Sequence, residues 1–268
     1  MDELRVACGQ FEARLGDKAF NLDVMASQAR AAHAAECQVV VFAELSVSGY
    51  LQAERVAEVA EPVDGPSVRE LAGCARELGI QIVFGMAERA GDRLYNSMVA
   101  LDARGEVAAC YRKLHLFGAE ERWATAGSEV VAFTLAGVPA TGWICFDTRF
   151  PELARSAAAA GAEVACVPTA WLGPPAEWEL AVRSRAMDNT LFVAGADQIC
   201  HAEGLRCRGN SIIAGPHGDV LARAVTDTDG VIWADLHSSE LEEQRARLAL
   251  LENRRSDLFG PGAAKTLD

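Results

Sequence analysis

Glu44, Lys113 and Cys145 are the side chains in this sequence best placed to do chemistry together, because each sits at the end of a run patterned as a β-strand. The apolar run Trp143-Ile144-Cys145-Phe146 breaks into a polar turn, and Pro151-Glu152-Leu153 then opens an Ala-rich helix. A strand that ends ahead of a helix N-terminus places its last side chain where backbone N–H groups converge and the helix dipole is positive. Both features favour a thiolate over a thiol. Cys145 is therefore placed as a nucleophile would be; the alternative is a buried cysteine that packs like a small hydrophobe.

Lysine usage singles out the second side chain. Only Lys18, Lys113 and Lys265 occur, and the remaining Lys/Arg positions are all arginine. Keeping lysine between Arg112 and Leu114 points to a need for a compact ammonium with three donors, against the plainer alternative of a solvated turn. Glu44 comes just after the apolar run over 39–42, where burial would raise its pKa toward that of a general base. Its alternative is a turn cap or an arginine partner. Taken together, an acid to accept the thiol proton, a sulfur nucleophile and an ammonium for the oxyanion make an acyl-transfer set. No histidine is better placed. His33 lies in a helical stretch, His201, His217 and His237 lie near turns, and His115 reads as a wall or hydrogen-bonding residue.

For these groups to meet, the strands that carry them must end on one rim. Residues 4–11 alternate loosely as a first strand, 21–35 have helical spacing, and 39–42 form a short run buried on both faces. Residues 52–60 read as a helix, followed by a turn in which Asp64 or Ser67 caps the next helix, ending at Leu78. Strands over 80–86, 94–101 and 106–111, separated by tight turns, indicate an antiparallel meander. A loop over 118–128 leads to a strand at 130–133 and then to the cysteine strand. The second half repeats this style, with helices at 151–160 and 178–189 and strands at 163–168, 191–195, 211–214, 220–224 and 231–236. A charged helix over 240–250 precedes a tail, 252–268, with little to bury. The alternation fits an α/β (α+β) fold of two mixed sheets stacked face to face with helices outside. No composition shift marks a boundary, so one domain over 1–268 is expected.

Half of the 268 residues are hydrophobic, which excludes general disorder, and the formal net charge of -13 argues against nucleic acid or an anionic membrane as partner. The N-terminal residues carry no signal-peptide pattern, and no apolar run is long enough to span a bilayer. The eight cysteines include no C-x-x-C pair, so reduced thiols in a cytoplasmic protein are expected, with no zinc site. P-loop, G-x-G-x-x-G, G-x-S-x-G and H-E-x-x-H patterns are absent, which removes several enzyme classes.

With these residues in place, the chain resembles the nitrilase, or carbon–nitrogen hydrolase, superfamily. Phe42-Ala43-Glu44-Leu45 with Gly49-Tyr50, Tyr111-Arg112-Lys113-Leu114-His115-Leu116-Phe117 and Cys145-Phe146-Asp147-Thr148-Arg149-Phe150-Pro151-Glu152 resemble its three motifs in order. Arg185-Ala186-Met187-Asp188-Asn189 matches a further family segment, whereas Ser256 stands where a proline is common. The resemblance implies a four-layer αββα sandwich that forms a homodimer through helices near the site. It assigns Glu44 as general base, Lys113 as transition-state stabiliser and Cys145 as nucleophile, without metal or cofactor. It also implies a second glutamate, Glu120, beside which Glu121 leaves a one-residue shift open, and an oxyanion contact from the Phe146 backbone N–H.

Phe146-Asp147 after the cysteine, where true nitrilases have Trp-Glu, places the chain nearer the amidase and carbamoylase branches. The expected reaction is hydrolysis of a small aliphatic amide to carboxylate and ammonia through a thioester. Tyr50, Phe117, Trp143 and Trp171 are expected to line the pocket. Arg149 would speak for acidic substrates if it pointed inward. The rivals are an N-carbamoyl amine or amino acid hydrolase, a non-catalytic binding protein on the same fold, and a thiol redox protein.

Overall fold

A computed structural model describes residues 3–50, 53–201, 204–255 and 257–258. The chain opens with β1 (Glu3–Gln10), α1 (Lys18–Ala34), β2 (Val39–Val41), α2 (Ala53–Val59) and α3 (Pro66–Leu78). The expected meander follows as β3 (Gln81–Ala90), β4 (Arg93–Leu101) and β5 (Val107–Arg112). Next come β6 (Ala132–Leu135), β7 (Val138–Gly142), α4 (Pro151–Ala159), β8 (Val164–Thr169), α5 (Pro175–Asn189) and β9 (Phe192–Asp197). A small pair that the sequence did not suggest, β10 (Ile199–Cys200) with β11 (Cys207–Arg208), precedes β12 (Ile212–Ala214), β13 (Val220–Arg223), β14 (Gly230–His237) and α6 (Ser238–Leu248).

The strands form two six-stranded sheets, ordered β14-β1-β2-β3-β4-β5 and β13-β12-β9-β8-β7-β6. Each has a parallel centre, β1-β2-β3 in one and β7-β8-β9 in the other, with antiparallel strands on both sides. β1 lies over β9, and β2 and β3 lie over β8. The period-two pattern of a strand decides which layer each side chain joins. Val39 and Val41 enter the core between the sheets, while Val40 enters the core beneath α1 and α3. On the far side, Leu153 and Ala157 of α4 and Trp178 and Val182 of α5 seal the second sheet. The architecture is the αββα sandwich expected from the sequence.

Three local readings are corrected. The N-cap of α3 is Gly65 and makes no side-chain bond; neither Asp64 nor Ser67 caps the helix. The Glu61 carboxylate instead accepts from Ser67 N at 2.9 Å, doing from the preceding turn what a capping side chain does. The strand before the cysteine is β7, not the apolar run 143–146, because a 3-10 turn has already begun at Cys145; Trp143, Ile144 and Cys145 are buried all the same. Helix α5 begins at Pro175, ahead of the expected start at Trp178, since proline suits the first helical turn. Of the tail, only 252–255 and 257–258 fall within the described residues.

Gly85 of β3 fixes how closely that strand passes the residue that follows β2. A Cβ there would lie 2.5 Å from Leu45 N, 2.7 Å from Ala43 O and 2.7 Å from Glu44 Cα. Gly85→Ala is therefore expected to destabilise the fold by about 1–3 kcal/mol through overpacking. Chemical denaturation of the purified variant reads this directly, and wild-type stability would show that the backbone yields at no cost.

Candidate active site

Parallel strands end on a common rim, and side chains just past their carboxyl ends converge there. Glu44 follows β2, Cys145 follows β7, and Thr169, Ala170 and Trp171 mark the end of β8. Lys113 follows β5, where its backbone N–H donates to Asn96 O of β4 at 2.9 Å. The two sheets meet at this rim: Glu44 N lies 3.4 Å from Thr169 O, and Ala170 N donates to Glu44 Oε2 at 2.9 Å.

The structure brings Glu44, Lys113, Glu120 and Cys145 into one place. Lys113 Nζ lies 2.7 Å from Glu44 Oε1 and 2.8 Å from Glu120 Oε1, with the three side chains only 1%, 0% and 1% exposed. Glu120, not Glu121, is the acid turned inward. Its Oε1 also accepts from Tyr50 Oη at 2.9 Å and Asn96 Nδ2 at 3.0 Å, and its Oε2 accepts from Phe117 N at 2.9 Å. An ammonium has three N–H groups. Two go to the carboxylates and the third is left for another acceptor.

Burial pushes the Glu44 carboxyl up to about 7; the Lys113 charge opposes this and Glu120 adds to it. For Lys113, burial acts to lower the pKa, but the charges of Glu44 and Glu120 outweigh it and hold the ammonium above the ordinary lysine range. The lysine stays charged while its glutamate partner can change protonation near neutrality.

Cys145 has φ 45, in the left-handed region, as the first residue of a short 3-10 turn over 145–149. Its Sγ donates to Ala170 O at 3.7 Å. The thiolate expected from the helix N-terminus is not the resting form. Burial first, and then the Glu44 charge, raise the Cys145 pKa well above the ordinary thiol range, and Lys113 offsets them only in part. The surroundings thus favour the thiol over the thiolate, with Glu44 close by.

The cysteine turn is held to the lysine strand by Asp147. Its Oδ2 accepts from Tyr111 Oη at 2.7 Å and Ile144 N at 3.2 Å, and its Oδ1 accepts from His115 N at 2.9 Å. His115 Nδ1 lies 2.8 Å from the same oxygen, and the ring stacks on Phe150 at 3.6 Å. His115 thus serves as a hydrogen-bonding residue of this clamp and does not line the cavity. Trp143, expected as a pocket wall, is buried elsewhere, with Nε1 donating to Thr148 Oγ1 at 3.0 Å.

A cavity of about 80 Å³ opens onto Cys145 and Lys113, with Tyr50, Phe117, Phe146 and Trp171 among its walls. Arg149 also reaches it, yet the guanidinium is paired with Glu177 and lies 4.7 Å over the Trp171 ring.

A carbon–nitrogen hydrolase family model matches residues 5–246. The chain belongs to the carbon–nitrogen hydrolase family. It is 37% identical over 265 residues to a hydrolase of Pseudomonas protegens, covering 96% of this chain and 90% of that protein. It is 32% identical to a 2-oxoglutaramate amidase of Bacillus subtilis, covering 95% of this chain and 98% of that one. Among solved structures, an amidase from Nesterenkonia sp. AN1 superposes with a TM-score of 0.84 at 28% identity, covering 95% of each chain. That structure shows covalent addition of the acetamide moiety of fluoroacetamide at the active-site cysteine.

Sequence reasoning missed several residues in the site of this hydrolase. Asn96 contacts both carboxylates, and the only cue was an asparagine inside a strand, where that residue is disfavoured. Thr169 and Ala170 act partly through backbone groups, which leave no side-chain signal. Asp147 and Tyr111 sit within recognisable motifs, but their pairing across the sequence was not readable.

Lys113→Met leaves two buried carboxylates without their ammonium and is expected to destabilise the protein by about 3–5 kcal/mol. The deficit should be larger at about pH 8 than at about pH 5, because protonating Glu44 removes its unpaired charge. Adding Glu44→Gln and Glu120→Gln should recover most of it. Urea unfolding of the single and triple variants at both pH values checks the sign.

Proposed function

We propose that this hydrolase cleaves a short, uncharged amide to a carboxylate and ammonia through a thioester on Cys145. The observation that carries the reading is the Lys113 ammonium between Glu44 and Glu120 on the wall of the cavity that holds Cys145. Ionised Glu44 takes the proton of the Cys145 thiol as the sulfur attacks the amide carbon. The developing oxyanion is met by the free N–H of Lys113 and the backbone N–H of Phe146. Collapse of the tetrahedral intermediate breaks the C–N bond, and Glu44 returns its proton to the departing ammonia. Water, oriented by Glu120 and deprotonated by Glu44, then attacks the thioester and releases the carboxylate and the thiol.

A thiol at rest suits this sequence, since deprotonation is coupled to attack and the sulfur is not exposed as a standing nucleophile. The aromatic walls of the cavity, Phe117, Phe146 and Trp171 among them, suit a short apolar acyl chain. Pairing of Arg149 with Glu177 leaves little free positive charge to select an acidic substrate. The amidase relatives support the reaction class. An N-carbamoyl compound would use the same groups and release carbon dioxide as well as ammonia, so product analysis separates the two. The exposed α5 side chains Leu180 (66%) and Met187 (47%) support a homodimer formed through α4 and α5 near the site.

Acetamide, propionamide and butyramide are expected to release ammonia with the highest kcat/KM, ahead of carboxylated amides and ureido compounds. The rate should fall below about pH 7, where Glu44 becomes protonated. On Glu120→Ala, intact mass should reveal Cys145 carrying the substrate minus ammonia. Turnover that survives Cys145→Ala, or carbon dioxide as an obligatory product, would overturn the assignment. Separately, Leu180→Glu is expected to convert the dimer to monomer by sedimentation equilibrium; a wild-type protein that sediments as a monomer rules the interface out.

A further inference from the structure

Asn96 lies in β4, fully buried and outside the cavity wall. Its Nδ2 sits 2.8 Å from Glu44 Oε1 and 3.0 Å from Glu120 Oε1, the same two oxygens that contact Lys113 Nζ. A primary amide has two N–H groups, so one can go to each carboxylate. Its backbone also takes part, because Asn96 O accepts from Lys113 N. One residue therefore fixes the lysine through the main chain and the partners of that lysine through the side chain.

The other end of the amide shows what the orientation serves. Asn96 Oδ1 is buried and has no hydrogen-bond partner among the described residues. Turning the amide over would bring this acceptor against two carboxylate oxygens and repel both, so the carboxylates dictate the orientation. An orphaned acceptor is unfavourable in a protein interior. The amide is held for its donors, at the expense of its own oxygen. A cationic donor in its place would add a second buried positive charge, and an aspartate would add a third acid.

We propose that Asn96 is a positioning residue for amide hydrolysis, whose two N–H groups hold Glu44 and Glu120 on the Lys113 ammonium so that its third N–H stays free. This rests on the Glu44–Lys113–Cys145 reading given above. Removing the amide has a directional consequence. Donation to a carboxylate favours its ionised form, so Glu44 binds its proton more tightly once Asn96 is gone. The other groups acting on Glu44 are Lys113 and the Ala170 N–H by contact, with Glu120, Cys145, Tyr50 and Asp197 interacting through their charges. All of these remain in place in an Asn96 variant.

The test compares wild type, Asn96→Asp and Asn96→Ser in two assays across pH. One is kcat and KM on the best amide of the panel; the other is the rate of Cys145 alkylation by iodoacetamide, read by intact mass. Asn96→Asp is nearly isosteric and is expected to lower kcat by ~10- to 100-fold with little change in KM. The acid limb of both profiles should move up by about one pH unit. Asn96→Ser, which removes the bridge without adding an acid, should shift the limb the same way by less. A structural role alone would lower activity without moving the limb. Wild-type pH profiles in both variants, or loss of folding in both, overturn the proposal. Alkylation needs no turnover, so a wild type that is alkylated at Cys145 but hydrolyses no amide defeats the hydrolase reading alone.

Discussion

A single ammonium sealed between two carboxylates sets the terms for the rest of this molecule. Lys113 has essentially no access to water, and neither do Glu44 and Glu120. Buried charges are tolerated only when their partners and hydrogen bonds are complete. Donors from Tyr50, Asn96, Ala170 and Phe117 complete this set, and they come from widely separated parts of the chain. Each of those segments must therefore be in place for the charge cluster to exist. The interaction that equips the site for chemistry also makes its geometry hard to deform.

The sandwich meets this demand by repeating one plan. Both sheets have a parallel centre, and both deliver loops to the same rim. The first sheet contributes the acids' lysine and the general-base candidate; the second contributes the sulfur and the Thr169–Ala170 backbone that touches both. Tight passages between the layers depend on missing side-chain atoms. Gly142 is one: a Cβ there would lie 2.4 Å from Met98 Cε, so that methionine of the facing sheet packs directly on the bare backbone of β7. The acid-capped turns follow a common logic as well. Glu120 accepts from Phe117 N and Asp147 from Ile144 N, each closing a short 3-10 turn beside the cavity.

Much of this was legible in the sequence because the signals were local. Four consecutive apolar residues followed shortly by Glu44, a lone lysine among arginines, and a cysteine ahead of Pro151 are patterns within a few residues. The fold class followed from strand–helix alternation and turn chemistry, which are also local. What failed required knowledge of distant neighbours. A thiolate was expected at Cys145 from the helix beyond it, but burial and the Glu44 charge oppose it, and that acid is brought by the other sheet. The cap on α3 came from Glu61 instead of Asp64 or Ser67. Asn96 gave almost no signal, since its importance lies in two acids that meet it only after folding.

Because Glu44 hangs from one sheet and Cys145 from the other, neither layer alone brings the two side chains together. A chain with each sheet formed but the layers not yet docked holds only an ordinary cysteine, with no acid positioned to take its proton. The pairing of that acid with that sulfur is thus a property of the docked layers and of neither sheet by itself.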